Sequence, residues 1–181
     1  MQLPAPKAPA FFMKFILVIF RFMVSFIQPE PELKGAVIQA AGLTCAMCSN
    51  AIYKSLVTLP FIDQVEPDLS NSSFVISFKN NTGIDPDALR RKIEDAGFSI
   101  ASFTWELVFK KDEIKEKTIF TVRNILFCAP DNFNADGLKS LVMTDKYFTT
   151  DRKLKLYERQ WKGKQCETLP DKQVYHVIPA E

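Results

Sequence analysis

An α+β fold is predicted for this chain of 181 residues. Three observations predict it. Between Lys34 and Phe103, short apolar runs of strand type alternate with two segments of helical period. Proline and glycine punctuate the junctions, at Gly42, Pro60, Gly83, Pro86 and Gly97. The apolar share is 47%, with 16 Phe, which is enough for a core that holds without a disulfide scaffold.

Each element follows from its residues. Lys34–Ala41 is predicted as a strand, and Gly42 permits a tight exit from it. Thr44 is expected to cap the helix that follows, since its hydroxyl can accept an orphan backbone N–H. Ala46–Leu59 carries Ile52, Leu56 and Leu59 at helical spacing, and Pro60 stops it. Phe61–Leu69 is a strand. Pro67 cannot donate to a ladder, so this strand belongs at a sheet edge. Ser70–Ser73 turns the chain into Phe74–Phe78, where Phe74, Ile76 and Phe78 share a face. Asp85 and Pro86 open a second helix with apolar positions Leu89, Ile93 and Ala96. Gly97 ends it in the left-handed conformation, and Phe98 starts a last strand with Ile100 and Phe103. The order β-α-β-β-α-β is that of a ferredoxin-like sandwich, in which the second strand lies at an edge.

Four cysteines are present: Cys45, Cys48, Cys128 and Cys166. Cys45 and Cys48 stand three apart at the start of the first helix. Such a pair serves as a redox couple, as half of a zinc site, or as a two-thiolate clamp for a soft ion. The single His, His176, excludes a zinc site built from several histidines of this chain. A net charge of +2 without a long basic run argues against nucleic acid as a partner. No phosphate-binding glycine run or aspartyl-phosphate motif is present, so the chain is not itself a pumping ATPase.

Gly42-Leu-Thr-Cys-Ala-Met-Cys48 resembles the Gly-Met-Thr-Cys-x-x-Cys loop of heavy-metal-associated (HMA) domains, and Ile93-Glu-Asp-Ala-Gly-Phe98 resembles the ending of their second helix. The resemblance runs from about Leu33 to Phe103. Copper chaperones, periplasmic mercury-binding proteins and N-terminal modules of metal-transporting P-type ATPases make up this family. It implies capture and transfer of a soft ion by Cys45 and Cys48: Cu(I) foremost, Hg(II) as an alternative, Zn(II) less so. The partner it implies is a metal donor or acceptor such as a metal-transporting ATPase. Two departures stand out. The usual Met of the motif is Leu43, near-isosteric where the family packs that side chain beneath the loop. Phe98 occupies a position near the metal that is often Lys or Tyr in free chaperones and Phe in ATPase modules of the family, and an aromatic ring supplies no counter-charge.

Two thiolates suit Cu(I), which accepts low coordination, whereas zinc seeks four ligands. A helix start also favours thiolate, through its dipole and orphan N–H groups. Met47, between the cysteines, is either a soft third ligand or a solvent- and partner-facing side chain. Tyr53 is assigned the outer face of its helix and no role. Thiol–disulfide exchange stands as the competing chemistry for the pair. A metal-regulated interaction module, with the C-terminal extension as its working part, is the other alternative. The expectation is a binder or carrier and not an enzyme.

The expected organisation has three parts. Residues 1–32 form a hydrophobic signal or anchor with a Pro/Glu spacer, residues 33–104 the HMA domain, and residues 105–181 a mostly β extension of unassigned function. Phe11–Ile27 is almost wholly apolar but carries Lys14 and Arg21. Read from Met13 it opens like a secretory signal, without an A-x-A cleavage site. It is otherwise an uncleaved anchor, an interfacial helix or a core helix. The expected location is the cell envelope, periplasmic or membrane-anchored, with the cytoplasm as the alternative if 11–27 is not a signal. In the extension, Phe103, Trp105, Leu107 and Phe109 alternate, so the last strand is expected to run on past 104. Lys110–Lys117 reads as a charged turn or loop. Thr118–Cys128 reads as a strand, Ala135–Thr144 as a short helix or strand, and Lys153–Trp161 and Gln173–Ile178 as strands. Cys128 and Cys166 either pair or stay free. A further reading adds Cys166 and His176 to the metal site.

Overall fold

The computed structural model describes residues 30–110, 119–130, 133, 136–161, 166 and 173–180. The expectations for residues 1–29, for the charged stretch after Lys110 and for the breaks at 131–132 and 162–172 lie outside the described residues or almost wholly so. Among the described residues no helix is long and apolar enough to cross a membrane.

The strands are β1 (Glu32–Ala41), β2 (Ile62–Asp68), β3 (Ser73–Phe78), β4 (Ser99–Phe109), β5 (Ile119–Val122), β6 (Ile125–Cys128), β7 (Gly137–Met143) and β8 (Val174–Pro179). The helices are α1 (Ala46–Leu56), α2 (Pro86–Asp95) and α3 (Asp151–Gln160). All eight strands join one sheet in the order β2-β3-β1-β4-β7-β8-β6-β5. The first four strands with α1 and α2 form the ferredoxin-like arrangement, and Pro67 sits on the edge strand β2 as expected. The C-terminal region is mostly β.

The end of α2 follows the sequence closely. Asp85 caps its start, its carboxylate accepting from Ala88 N–H at 3.0 Å, with Pro86 in the first turn. At the other end Gly97 takes φ +88°, and two reverse bonds close the helix: Gly97 N–H to the Glu94 carbonyl and Phe98 N–H to the Ile93 carbonyl. A side chain at Gly97 would be strained in that left-handed conformation.

β4 crosses position 104 without a break and links the two parts of the sheet. Its residues Thr104–Phe109 pair with β7. On its inner face Phe103, Trp105, Leu107 and Phe109 are fully or almost fully buried. Trp105 stacks on Phe78 and Phe103, with centroids at 5.6 Å and 4.8 Å, and meets the edge of Phe127 from β6 at 5.7 Å. The C-terminal strands thus share the aromatic core of the first half. Polar bonds close the same seam. The Asn124 side chain pairs with both backbone groups of Ile84, accepting at 2.6 Å and donating at 2.9 Å. Tyr175 Oη donates to Asp87 on α2 at 2.7 Å. Burial raises the Asp87 carboxyl, but the bonds from Tyr175 and Arg90 outweigh it and hold it below the usual carboxylate range. Burial and the same carboxylate push the Tyr175 phenol up.

Two sequence expectations for the C-terminal region differ from the structure, and a third, left between two readings, is decided by it. Thr118–Cys128 is two strands, β5 and β6, because Arg123 and Asn124 form a hairpin turn between them, Arg123 at φ +54°. Neither residue is the glycine that usually marks such a turn. Lys153–Trp161 is not a strand but lies mainly on α3. The alternation K-L-K-L suggests a period of two, yet Leu156 is 52% exposed. The operative spacing is helical, with Leu154, Tyr157 and Trp161 on the covered side. Thr150 caps α3, its hydroxyl accepting from Lys153 N–H at 3.5 Å. Of the two readings for Ala135–Thr144, the strand is the one found, as β7.

Candidate metal site

The chain leaves β1 through Gly42, at φ +75°, and this sharp exit places Leu43–Met47 at one end of the sheet. Leu43 turns inward and is buried under the loop, as the family pattern implies for that position. The loop is braced from beside. Ser72, in the β2–β3 turn, donates its hydroxyl to the Leu43 carbonyl at 3.0 Å, and its own carbonyl accepts from Ala40 N–H. Asp68 organises that turn by accepting from the backbone N–H groups of Ser70 and Asn71 and from both side chains. Those bonds hold its carboxyl below the ordinary range.

Thr44 does not cap α1. Cys45 does, in extended conformation, with its Sγ accepting from Cys48 N–H at 3.2 Å. The capping atom is therefore a candidate ligand atom. A helix start supplies orphan donors and positive potential, and a sulfur placed there is stabilised as thiolate. No acidic residue stands in the first turn of α1 to oppose this. Neither does any basic side chain occur between Gly42 and Cys48. Within the loop itself, only the backbone can stabilise negative sulfur.

Cys45 is exposed, and Cys48 is half-buried against the core. Their Cα atoms are 5.3 Å apart, and the two sulfurs are joined as a disulfide in the structure. Met47 projects outward at 85% exposure. Tyr53 is exposed on α1, on the side assigned to it from sequence. Phe98 is half-buried and packs against the core, next to the α2 ending. Among the described residues no three or more His, Cys, Asp and Glu side chains group to hold a metal. The loop offers two sulfurs and no further donor of those kinds.

Cys166 and His176 belong to the other part of the sheet. Cys166 is joined to Cys128 as a disulfide, with Cα atoms 6.2 Å apart. His176 lies on β8 as the register partner of Cys128 on β6. Its Nδ1 is 2.8 Å from Asp145 Oδ1, and its backbone N–H donates to Asp145 Oδ2 at 2.7 Å. Sequence reading did not find Asp145, because only the return of β8 beside the end of β7 brings it to His176.

A ferredoxin-like half with an exposed two-cysteine loop at a helix start defines a class of small cysteine-clamp modules. The family comparison narrows that class: residues 37–99 match the model of the heavy-metal-associated domain. Among solved structures, the chain is similar to the water-soluble region of the P-type ATPase CopA from Bacillus subtilis, with 29% identity, coverage of 41% of this chain and 48% of that one, and a TM-score of 0.33. It is similar also to a copper-binding domain from the P-type ATPase HMA7, at 28% identity, 36% and 92% coverage, and a TM-score of 0.32. The yeast copper transporter domain Ccc2a is 24% identical, with 36% and 89% coverage and a TM-score of 0.33. No curated protein matches the chain.

Proposed function

We propose that this protein binds a heavy-metal ion, Cu(I) foremost, through Cys45 and Cys48 and passes it to a partner protein. One observation carries the reading: an exposed Cys-x-x-Cys loop caps a helix within the segment that matches the heavy-metal-associated domain. Binding requires the dithiol. A dithiol reductant takes up the Cys45–Cys48 disulfide by exchange, leaving two thiols here and its own disulfide there. Cu(I) then binds both sulfurs with loss of two protons. The Cys48 N–H at Cys45 Sγ and the start of α1 stabilise the resulting negative charge. Two ligands on an exposed loop leave the ion open to an incoming thiolate of a partner, so transfer proceeds through a shared intermediate without a free ion.

The partner in this reading is a metal donor or acceptor of the metal-transporting ATPase type. The protein acts as a carrier and not as an enzyme. Hg(II) suits the same two sulfurs, and Zn(II) suits them less because two ligands leave it unsaturated. Residues 11–27 would place the module at the cell envelope as a signal or anchor. The two sulfurs stand within bonding reach, which also suits a second reading, thiol–disulfide exchange. Anaerobic Cu(I) titration of the reduced chain against a competing chelator separates the two. About one ion per chain, lost in Cys45→Ser/Cys48→Ser, is the expected result. No binding, with disulfide exchange activity that depends on the same cysteines, would sink the metal reading.

A further inference from the structure

The helix α3 has no part in the metal loop, and its sequence divides by helical period into two faces. Leu154, Tyr157 and Trp161 stand three and four apart and form the covered side. Trp161 anchors that side, its Nε1 donating to Thr144 Oγ1 at 3.0 Å. Arg152, Lys155, Leu156 and Arg159 stand at the same spacing half a turn away. All four are exposed, Leu156 at 52%.

This stripe carries three positive charges. Asp151 and Glu158, the acidic residues of α3, fall to one side of it. The cations of α2 are paired: Arg90 with Asp87 and Glu94, and Arg91 with Asp85. Those of the α3 stripe, Arg152, Lys155 and Arg159, make no side-chain hydrogen bond or ion pair among the described residues. Like charges three and four apart repel and weaken a helix. The stability of α3 therefore does not account for the stripe, and a binding partner of opposite charge does.

The leucine narrows the partner. A basic helix face with an apolar residue at its centre suits a lipid interface. There Arg and Lys reach up to the headgroups along their methylene stems, and the leucine meets the acyl boundary. The other end of the chain has the complementary feature. Phe11–Ile27 is almost wholly apolar, and its only charges are the cations Lys14 and Arg21. One apolar anchor together with a basic patch is the two-signal pattern of stable membrane attachment.

We propose that Arg152, Lys155, Leu156 and Arg159 form a docking face for an anionic lipid surface, the second contact of a chain whose first is residues 11–27. The proposal rests on the reading of 11–27 as an envelope anchor and is independent of the chemistry at Cys45 and Cys48. Leu154, Tyr157 and Trp161 keep α3 on the protein, so the docked helix lies along the surface. What is recognised is the negative charge of the headgroups.

The test uses the full chain and vesicles of phosphatidylcholine, alone or mixed with phosphatidylglycerol. Binding to the neutral vesicles reports residues 11–27, so a failure of the anchor reading shows there. The stripe is read from the gain on the anionic vesicles. Three cations at such a surface predict a gain of about 100-fold, shrinking as salt rises. Arg152→Gln/Lys155→Gln/Arg159→Gln should remove most of it and leave neutral-vesicle binding and Cu(I) uptake unchanged. Trp105 and Trp161 are buried, so the indole of Leu156→Trp reports its own position. Its emission should move to the blue and be quenched by brominated phosphatidylglycerol. Absence of an anionic gain overturns the proposal, as does a gain that survives the triple substitution. Unquenched Leu156→Trp emission on bound vesicles does the same. So does tight, salt-sensitive binding to soluble poly-glutamate that anionic vesicles fail to displace, which would make the stripe a face for an acidic protein.

Discussion

The two cysteine pairs differ in almost every physical respect. Cys45 and Cys48 are three apart in sequence, exposed or half-buried, and set at a helix start whose backbone stabilises sulfur charge. Cys128 and Cys166 are 38 apart, with Cys128 fully buried and an oriented histidine beside it. The first pair sits with backbone donors and open access, the second with neighbouring side chains and enclosure. Sequence spacing separates the pairs only crudely. The difference lies in what surrounds each sulfur.

That comparison can be broken at the seam that holds both parts of the sheet. Trp105→Ala removes a fully buried ring that touches Phe78, Phe103 and Phe127. The expected cost is about 5 kcal/mol, the upper end for a large buried aromatic. Denaturant unfolding should show a single transition moving to lower denaturant by all probes. Two transitions, with only one displaced, would mean that the C-terminal strands fold by themselves.

The next effect separates the pairs directly. On the chain-entropy model, opening Cys128–Cys166 with its separation of 38 costs about 4 kcal/mol, and opening Cys45–Cys48 less than half of that. Thermal unfolding of Cys128→Ser/Cys166→Ser and Cys45→Ser/Cys48→Ser under oxidising conditions measures both. Equal losses would contradict the contrast.

Tyr175→Phe sharpens the account of the seam. It removes a hydrogen bond to the Asp87 carboxylate, and about 1–2 kcal/mol of stability at neutral pH should go with it. The Asp87 carboxyl is depressed in the folded state. Its contribution is therefore present above the ordinary carboxylate pKa and lost as pH falls through the depressed value. The gap between wild type and variant should narrow across that acid window, as read by urea midpoints at a series of pH values. Smallest is Met47→Ala. The side chain is 85% exposed, so stability should change by less than about 0.5 kcal/mol. Cu(I) affinity should also hold if the two sulfurs suffice, whereas a marked drop would make Met47 a ligand.

The first half of the fold is legible because its signals are local. Asp85 with Pro86 marks the start of α2, Gly97 marks its end, and Pro67 marks an edge strand, each readable within a few residues. The cysteine loop, Gly42 exit and helix start are legible for the same reason, apart from the cap. Sequence points to Thr44, a usual capping residue, whereas the extended backbone of Cys45 puts a sulfur in that place. The C-terminal region depends on distant pairings. β4 is joined by β7 only after the chain has made β5 and β6, and β8 slots between β7 and β6. Cys128, His176 and Asp145 come from three separate segments, so no spacing announces their meeting. The K-L-K-L alternation at Lys153–Leu156 points the wrong way, because a helix can carry one exposed leucine without penalty large enough to forbid it.

The central claim is that Cys45 and Cys48 alone clamp Cu(I). X-ray absorption at the copper edge, on the reduced full chain loaded with one Cu(I), tests it most directly. The chain has a single histidine, His176, so nitrogen in the copper shell would report the second pair's neighbourhood. The account predicts two sulfur neighbours and no imidazole nitrogen, with the signal lost in Cys45→Ser/Cys48→Ser. A shell containing imidazole nitrogen, or one unchanged by that double substitution, would contradict it.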